Sequence, residues 1–215
     1  VRLVGSEMCI RDSNTAVGAF ALDANTTGAQ NVAVGYSALT AVTTGNFNIA
    51  MGHEALKTIT TGSNNVAIGQ SAMDANTAND NTAVGHNALL ANSTGNKQVA
   101  IGGTALDANT TGGSNTAVGY GALSANTTAN YNTAVGRDAL LLNTTGTEQT
   151  AVGANALDAN TTGTENTAFG FSALTSNTTG NSNTALGRKA LFTNSTGTGN
   201  VAVGQGALLA NTTAS

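Results

Sequence analysis

An all-β fold, a parallel β-solenoid (β-roll) of about twelve 17-residue coils, is what this sequence predicts, and three observations predict it. First, a phrase such as NTAVGYGALSANTT (residues 115–128) recurs twelve times, with copies starting at Asn14, Asn31, Asn48, Asn65, Asn81, Gln98, Asn115, Asn132, Gln149, Asn166, Asn183 and Asn200. Ten of the intervals are 17 residues long, and one, from Asn65 to Asn81, is 16. Second, the fifth place of every copy is Gly. Third, the apolar residues fall into two short runs, T-A-V and A-L-x-A, separated by Gly-x-x and by Asn-Thr-Thr-Gly-x-x.

The repeat, N-T/V-A-V-G-x-x-A-L-x-A-N-T-T-G-x-x, justifies each element in turn; its places are numbered here as positions 1 to 17. Position 3 is Ala from Ala16 to Ala202, position 8 is Ala from Ala21 to Ala207, and position 9 is Leu except at Met73. Both runs are too short for a helix, and the Gly and Asn around them are turn formers. Ala and Leu favour helix by propensity, but a helical repeat needs about ten or more uninterrupted residues, and the recurring glycine denies them. Two short strands per coil are therefore expected. The glycines at position 5 are expected where the chain turns with positive φ or packs too closely for a Cβ: Gly18, Gly35, Gly52, Gly69, Gly85, Gly102, Gly119, Gly136, Gly153, Gly170, Gly187 and Gly204.

Neighbouring residues of a strand face opposite sides. Positions 3 and 4 are both apolar, as in Ala33–Val34, Ala67–Ile68 and Ala168–Phe169, and so are positions 8 and 9, as in Ala88–Leu89. Strands apolar on both faces are covered on both faces. One face fills the coil, and the other is expected to lie against identical chains.

Composition excludes several functions. Only 8% of the 215 residues are charged and the net charge is −4, so no basic surface is expected for nucleic acid. No apolar run is long enough to insert in a bilayer. No nucleophile stands with a base and no carboxylate pair is implied, so no enzyme and no catalytic residue is expected. His53 and His86 both occupy the variable position 6, which reads as surface rather than a metal pair. Asp23, Asp74, Asp107 and Asp158 share position 10 but skip copies and lack the Gly-Asp rhythm of calcium-binding coils. No metal and no cofactor is expected.

Stacked coils turn each position into a column. Position 1 becomes an Asn ladder, interrupted by Gln98 and Gln149, expected to hydrogen-bond along the axis. Position 12 gives a second Asn ladder, with Val42 and Ile59 as exceptions. Nine of its members begin N-x-S/T sequons and are candidate glycosylation sites: Asn25, Asn92, Asn109, Asn126, Asn143, Asn160, Asn177, Asn194 and Asn211. The competing reading is that Asn-Thr-Thr-Gly is simply a good turn. A row of Thr also invites an ice-binding reading, which adjacent Thr residues facing different ways argue against. Position 6 varies most usefully, and Tyr36, His53, His86, Tyr120, Arg137, Phe171 and Arg188 are the candidate surface-binding residues.

Residues 1–13, VRLVGSEMCIRDS, hold the single Cys, Cys9, and a cluster of charges. Residues 3–12 back-translate into DNA that resembles a transposase adapter used in preparing sequencing libraries. Residues 1–13 are therefore read as a non-native leader, and residues 14–215 as a solenoid domain truncated at both ends. From residue 14 onward, the phrase NTAVGYGALSANTTANYNTAVG resembles the repeats of phage tail-fibre-like and bacterial surface proteins, which often carry an endosialidase-type chaperone domain. It is similar, less closely, to the head repeats of trimeric autotransporter adhesins, whose N-x-A-I-G-x-x-A unit is shorter and builds a left-handed parallel β-roll. The resemblance implies a homotrimeric, extracellular fibre on a cell surface or phage virion that contacts a host-cell glycan or protein. The function expected is a structural and adhesive fibre segment. The alternatives are a glycosylated extracellular filament or surface-layer protein, and a carbohydrate-active fibre enzyme whose catalytic domain lies outside these repeats.

Overall fold

The structure is a computed structural model that describes residues 13–214, so most of the leader, Cys9 included, lies outside the described residues. The chain divides into two compact units, Val1–Thr111 and Gly112–Ser215. Each is an all-β solenoid. In the first unit six three-residue strands follow one another: β1 (Thr15–Val17), β2 (Val32–Val34), β3 (Ile49–Met51), β4 (Val66–Ile68), β5 (Thr82–Val84) and β6 (Val99–Ile101). The second unit carries β7 (Thr116–Val118), β8 (Thr133–Val135), β9 (Thr150–Val152), β10 (Thr167–Phe169), β11 (Thr184–Leu186) and β12 (Val201–Val203).

Inside each unit every strand pairs in parallel with the next, one coil on. Ala16 faces Ala33 and Ala83 faces Ala100 in the first unit; Ala117 faces Ala134 and Ala185 faces Ala202 in the second. The strands form where Thr, Val and Ile, stiff at χ1 and suited to a pleated surface, flank the central Ala. They stop at the glycine of position 5. Along them the side chains alternate: the central Ala is fully buried from Ala33 to Ala185, while its neighbours are half-buried or exposed.

Each coil holds one strand, where two were expected. The A-L-x-A run forms an elbow instead, because positions 7 and 9 lie in the left-handed region. In the coil that begins at Asn132, Asp138 has φ 56° and Leu140 has φ 53°. Strand alternation holds only for extended residues, and a left-handed φ swings the Leu side chain to the same side as the preceding Ala. Ala139 and Leu140 are accordingly both fully buried, as are Ala156 and Leu157. The elbow still bonds to its neighbouring coil: the Leu140 N–H donates to the Ala156 carbonyl at 3.0 Å, and Leu142 N–H to the Asp158 carbonyl at 3.0 Å. Bonds between coils thus continue where the strand ends, which satisfies backbone groups that would otherwise be buried unpaired.

The core of a coil is thin. It consists of the Ala of position 3, the Ala and Leu (once Met73) of positions 8 and 9, the Asn or Gln of position 1, and at position 12 an Asn, or Val42 or Ile59 in its place. The two Asn columns close each coil upon itself. Asn166 and Asn177 both donate through Nδ2 to the Gly180 carbonyl, at 2.8 and 3.0 Å. They also join coils: the Asn166 Oδ1 accepts the Asn183 backbone N–H at 2.9 Å, and Asn177 Nδ2 donates to Asn160 Oδ1 at 2.9 Å. Gln149 fits the same column, donating to the Gly163 carbonyl and accepting from the Asn166 N–H.

The 16-residue coil loses a residue without disturbing this scheme. Asn65 Nδ2 bonds the Ala78 carbonyl at 2.9 Å, so Ala78 stands in for the usual glycine of position 15. The residue absent is the second Thr of the turn, which is exposed in other coils, as at Thr44 and Thr94. Register is kept, with Ala67 opposite Ala83.

Candidate functional site

The glycines of position 5 form the hinge between strand and elbow. Their φ values run from 120° at Gly204 to 141° at Gly52. At Gly136 a Cβ would stand 2.6 Å from the Gly153 carbonyl group of the next coil. Both the backbone conformation and the close approach of adjacent coils exclude a side chain there. Directly after the hinge comes position 6, and the hinge turns its side chain outward.

All seven candidate surface residues are exposed: Tyr36, His53, His86, Tyr120, Arg137, Phe171 and Arg188. The structure brings some of them together. In the first unit Phe20, Tyr36 and His53 make a short aromatic stack, with Phe20 edge-on to Tyr36 at 5.6 Å and the Tyr36 and His53 rings nearly parallel at 5.3 Å. In the second unit the Arg188 guanidinium lies 5.8 Å from the centre of the Phe171 ring. Lys189 extends this pair, its Nζ 4.8 Å from the centre of the Phe192 ring. Arg137 instead meets Asp138 at 3.3 Å. Lys189 and Phe192, at the variable positions 7 and 10, were not among the candidate surface residues, and they join the column only through side-chain reach.

Charge gathers once more beside the aromatic stack. Lys57 donates to Glu54 at 2.8 Å, which holds the Glu54 carboxyl below its ordinary range and raises the Lys57 ammonium. His53 Nδ1 lies 3.8 Å from the same carboxylate. Half-buried Asp74, on the next coil, has an Oδ1 with no hydrogen-bond partner, and burial pushes its carboxyl up. Among the described residues no three His, Cys, Asp or Glu side chains gather closely enough to hold a metal ion.

The sequon asparagines face inward. Asn92, Asn109, Asn126, Asn143, Asn160, Asn177 and Asn194 are fully buried, and Asn25 and Asn211 are half-buried. The Nδ2 to which a glycan would attach is the atom that bonds the position-15 carbonyl, as from Asn160 to Gly163 at 3.1 Å. The orphan Oδ1 of Asn25 follows from the same scheme, because Val42 replaces the Asn that would donate to it. The first Thr of the turn is likewise committed, with Thr161 Oγ1 donating to the Thr178 carbonyl at 3.0 Å.

Among the described residues no helix is long and apolar enough to cross a membrane. No protein-family model matches the chain, and neither does any curated protein or solved structure.

Proposed function

We propose that this chain is a structural and adhesive segment of an extracellular fibre, on a cell surface or phage virion, that assembles as a homotrimer and presents a repetitive surface for host-cell or matrix attachment. The observation that carries the reading is the division of labour within each coil. The columns of positions 1, 3, 8, 9 and 12 point inward and the glycine of position 5 makes the hinge, whereas the variable position 6 points outward, as does the near-constant, exposed Thr of position 14, and holds exposed rings and cations. A scaffold that repeats while its surface varies is suited to display. Large pockets mark small-molecule sites, but a row of exposed side chains binds through many weak contacts that add in avidity, by about 10²–10⁴-fold when sites are linked.

Self-association draws support from the outer face of the strands. Position 4 leaves Met51 41% and Ile68 38% exposed in the first unit, and Phe169 51% and Leu186 46% exposed in the second. Contiguous apolar surface of this kind marks interfaces, and identical chains carry complementary copies of it. The glycosylated-filament reading has no comparable support, since most sequon asparagines are spent on the internal ladder.

The test is binding of the intact chain to cells and glycan surfaces, set against a variant in which Tyr36, His53, His86, Tyr120, Arg137, Phe171 and Arg188 are all Ser. The proposal expects surface binding by the parent and its loss in the variant, with melting unchanged. Light scattering is expected to give three chains. A monomer that binds no surface, or equal binding by both proteins, would sink the reading.

A further inference from the structure

The geometry points to an anion-recognition site on the second unit, formed by Arg188, Lys189, Phe171 and Phe192, that takes an acidic sugar: a pyranose bearing a carboxylate or a sulfate. The inference rests on the fibre reading and names the ligand class of its surface. Arg188 and Lys189 are consecutive, yet the left-handed backbone at Lys189, φ 57°, splays their side chains apart. Arg188 reaches to Phe171 on the preceding coil, and Lys189 lies over Phe192 on its own. The Lys189 N–H donates to the Phe171 carbonyl at 3.0 Å, which ties the two coils together beneath the patch.

What sets these two cations apart is that they are consecutive, each meets a ring, and among the described residues no carboxylate pairs with either, whereas Lys97, also without an ion pair, stands alone. Lys57 is held by Glu54 and Arg137 by Asp138, but neither Arg188 nor Lys189 has a carboxylate within ion-pair distance among the described residues. They are two consecutive cations on a chain of net charge −4. Each is laid over a ring, an attraction that is sequence-costly in a protein with only 4% aromatic residues. The rings fix the cations' apolar stems and leave half-exposed apolar surface beside two charges. Phe171 remains 47% exposed.

This combination matches one ligand chemistry. The guanidinium offers a planar pair of donors for a carboxylate or sulfate, and the ammonium a second, more mobile charge. The ring surface accepts the C–H face of a sugar. Nucleic acid fits poorly, since its affinity is built from many phosphate contacts and the patch has two cations. A free inorganic anion would lack the contact with the rings.

The experiment uses the full chain on surfaces bearing a heparin-derived sulfated oligosaccharide, a sialylated oligosaccharide, and the desulfated and asialo counterparts. Binding to at least one acidic form is expected, weakening as salt rises, with which arm binds telling sulfate from carboxylate. Arg188→Gln/Lys189→Gln is expected to weaken it about tenfold or more, and Phe171→Ala/Phe192→Ala to weaken it with charge intact. Lys97→Gln, which removes an exposed cation from the first unit, is expected to change nothing. Equal binding to the neutral sugars, an equal loss in Lys97→Gln, or equal capture of duplex DNA would overturn the site. Cell binding that survives Arg188→Gln/Lys189→Gln overturns the site while leaving the fibre reading in place. An assembled parent chain that binds no surface overturns both.

Discussion

The strand and the elbow of one coil carry the same kind of residue pair, and they bury it in opposite ways. In β9 Ala151 is fully buried and Val152 is half-buried; five residues on, Ala156 and Leu157 are both fully buried. In the strand the extended backbone sends neighbours to opposite faces. In the elbow Asn155 and Leu157, with φ of 56° and 52°, fold both apolar side chains inward. Left-handed residues other than glycine each cost on the order of 1–3 kcal/mol, and the elbow carries two per coil. Burial of a Leu, roughly 1.5–3 kcal/mol, offsets a large part of that. The comparison teaches that a coil with one real strand can still be closed by a strained segment, provided that segment supplies its bulkiest core residue.

The hinge between the two regions is where the comparison breaks most violently. Gly136→Val places a β-branched residue at φ 136° and drives its Cβ against the next coil. A loss of about 3 kcal/mol or more is expected in urea unfolding, and an unchanged midpoint would contradict the hinge. The next largest effect separates inside from outside. Leu157→Ala is expected to cost about 2–4 kcal/mol, whereas Val152→Ala, half-exposed on the strand, should cost under about 1 kcal/mol in an unassembled chain. Equal costs would mean that the two pairs are buried alike.

Strain in the elbow can be relieved directly. Thr104 is β-branched at φ 54°, a place that Gly121 and Gly206 occupy in other coils at 67° and 65°. Thr104→Gly is expected to stabilise by up to about 1 kcal/mol despite glycine's looser unfolded chain; destabilisation beyond that would show that the elbow is not strained. The smallest effect is electrostatic and falls within the elbow. Burial raises the Asp74 carboxyl in the folded chain, so its protonated form is the one the fold favours, and that contribution is lost as pH rises through the folded value. Asp74→Asn should therefore melt higher than the parent at neutral pH. The difference should close below about pH 4, where the unfolded carboxyl is protonated too. Glu54 runs the other way, its stabilisation present at neutral pH and lost on acidification.

Much of the strand was legible in the sequence and little of the elbow was. A fixed period with an invariant Ala told of a parallel stack in register, and the Asn columns told of ladders, because those follow from identity of position alone. The elbow depends on backbone sign, which apolar residues do not announce. Leu157 reads as strand or helix, and neither template allows a left-handed residue. One signal was present: position 7 mixes Gly121 and Gly206 with Asn87, Asp138 and Asn155, the residues that best tolerate φ above zero. At the surface, the outward direction of position 6 could be read from its variability. The pairing of Lys189 with Phe192 could not, since it arises from the splay that the elbow imposes.

The ladder register has a consequence at the level of the gene. Apart from the coils that carry Val42 and Ile59 in place of Asn, coils within a unit offer their neighbours the same kind of donors and acceptors, from the Asn or Gln of position 1 to the Thr or Ser of position 13. Loss of one exposed turn residue between Asn65 and Asn81 leaves those partners aligned. Unequal recombination that duplicates or drops a whole repeat would rejoin surfaces that already fit. Coil number is then a quantity that copying errors can change in single steps, and the reach of the protein can drift between lineages while its fold stays constant.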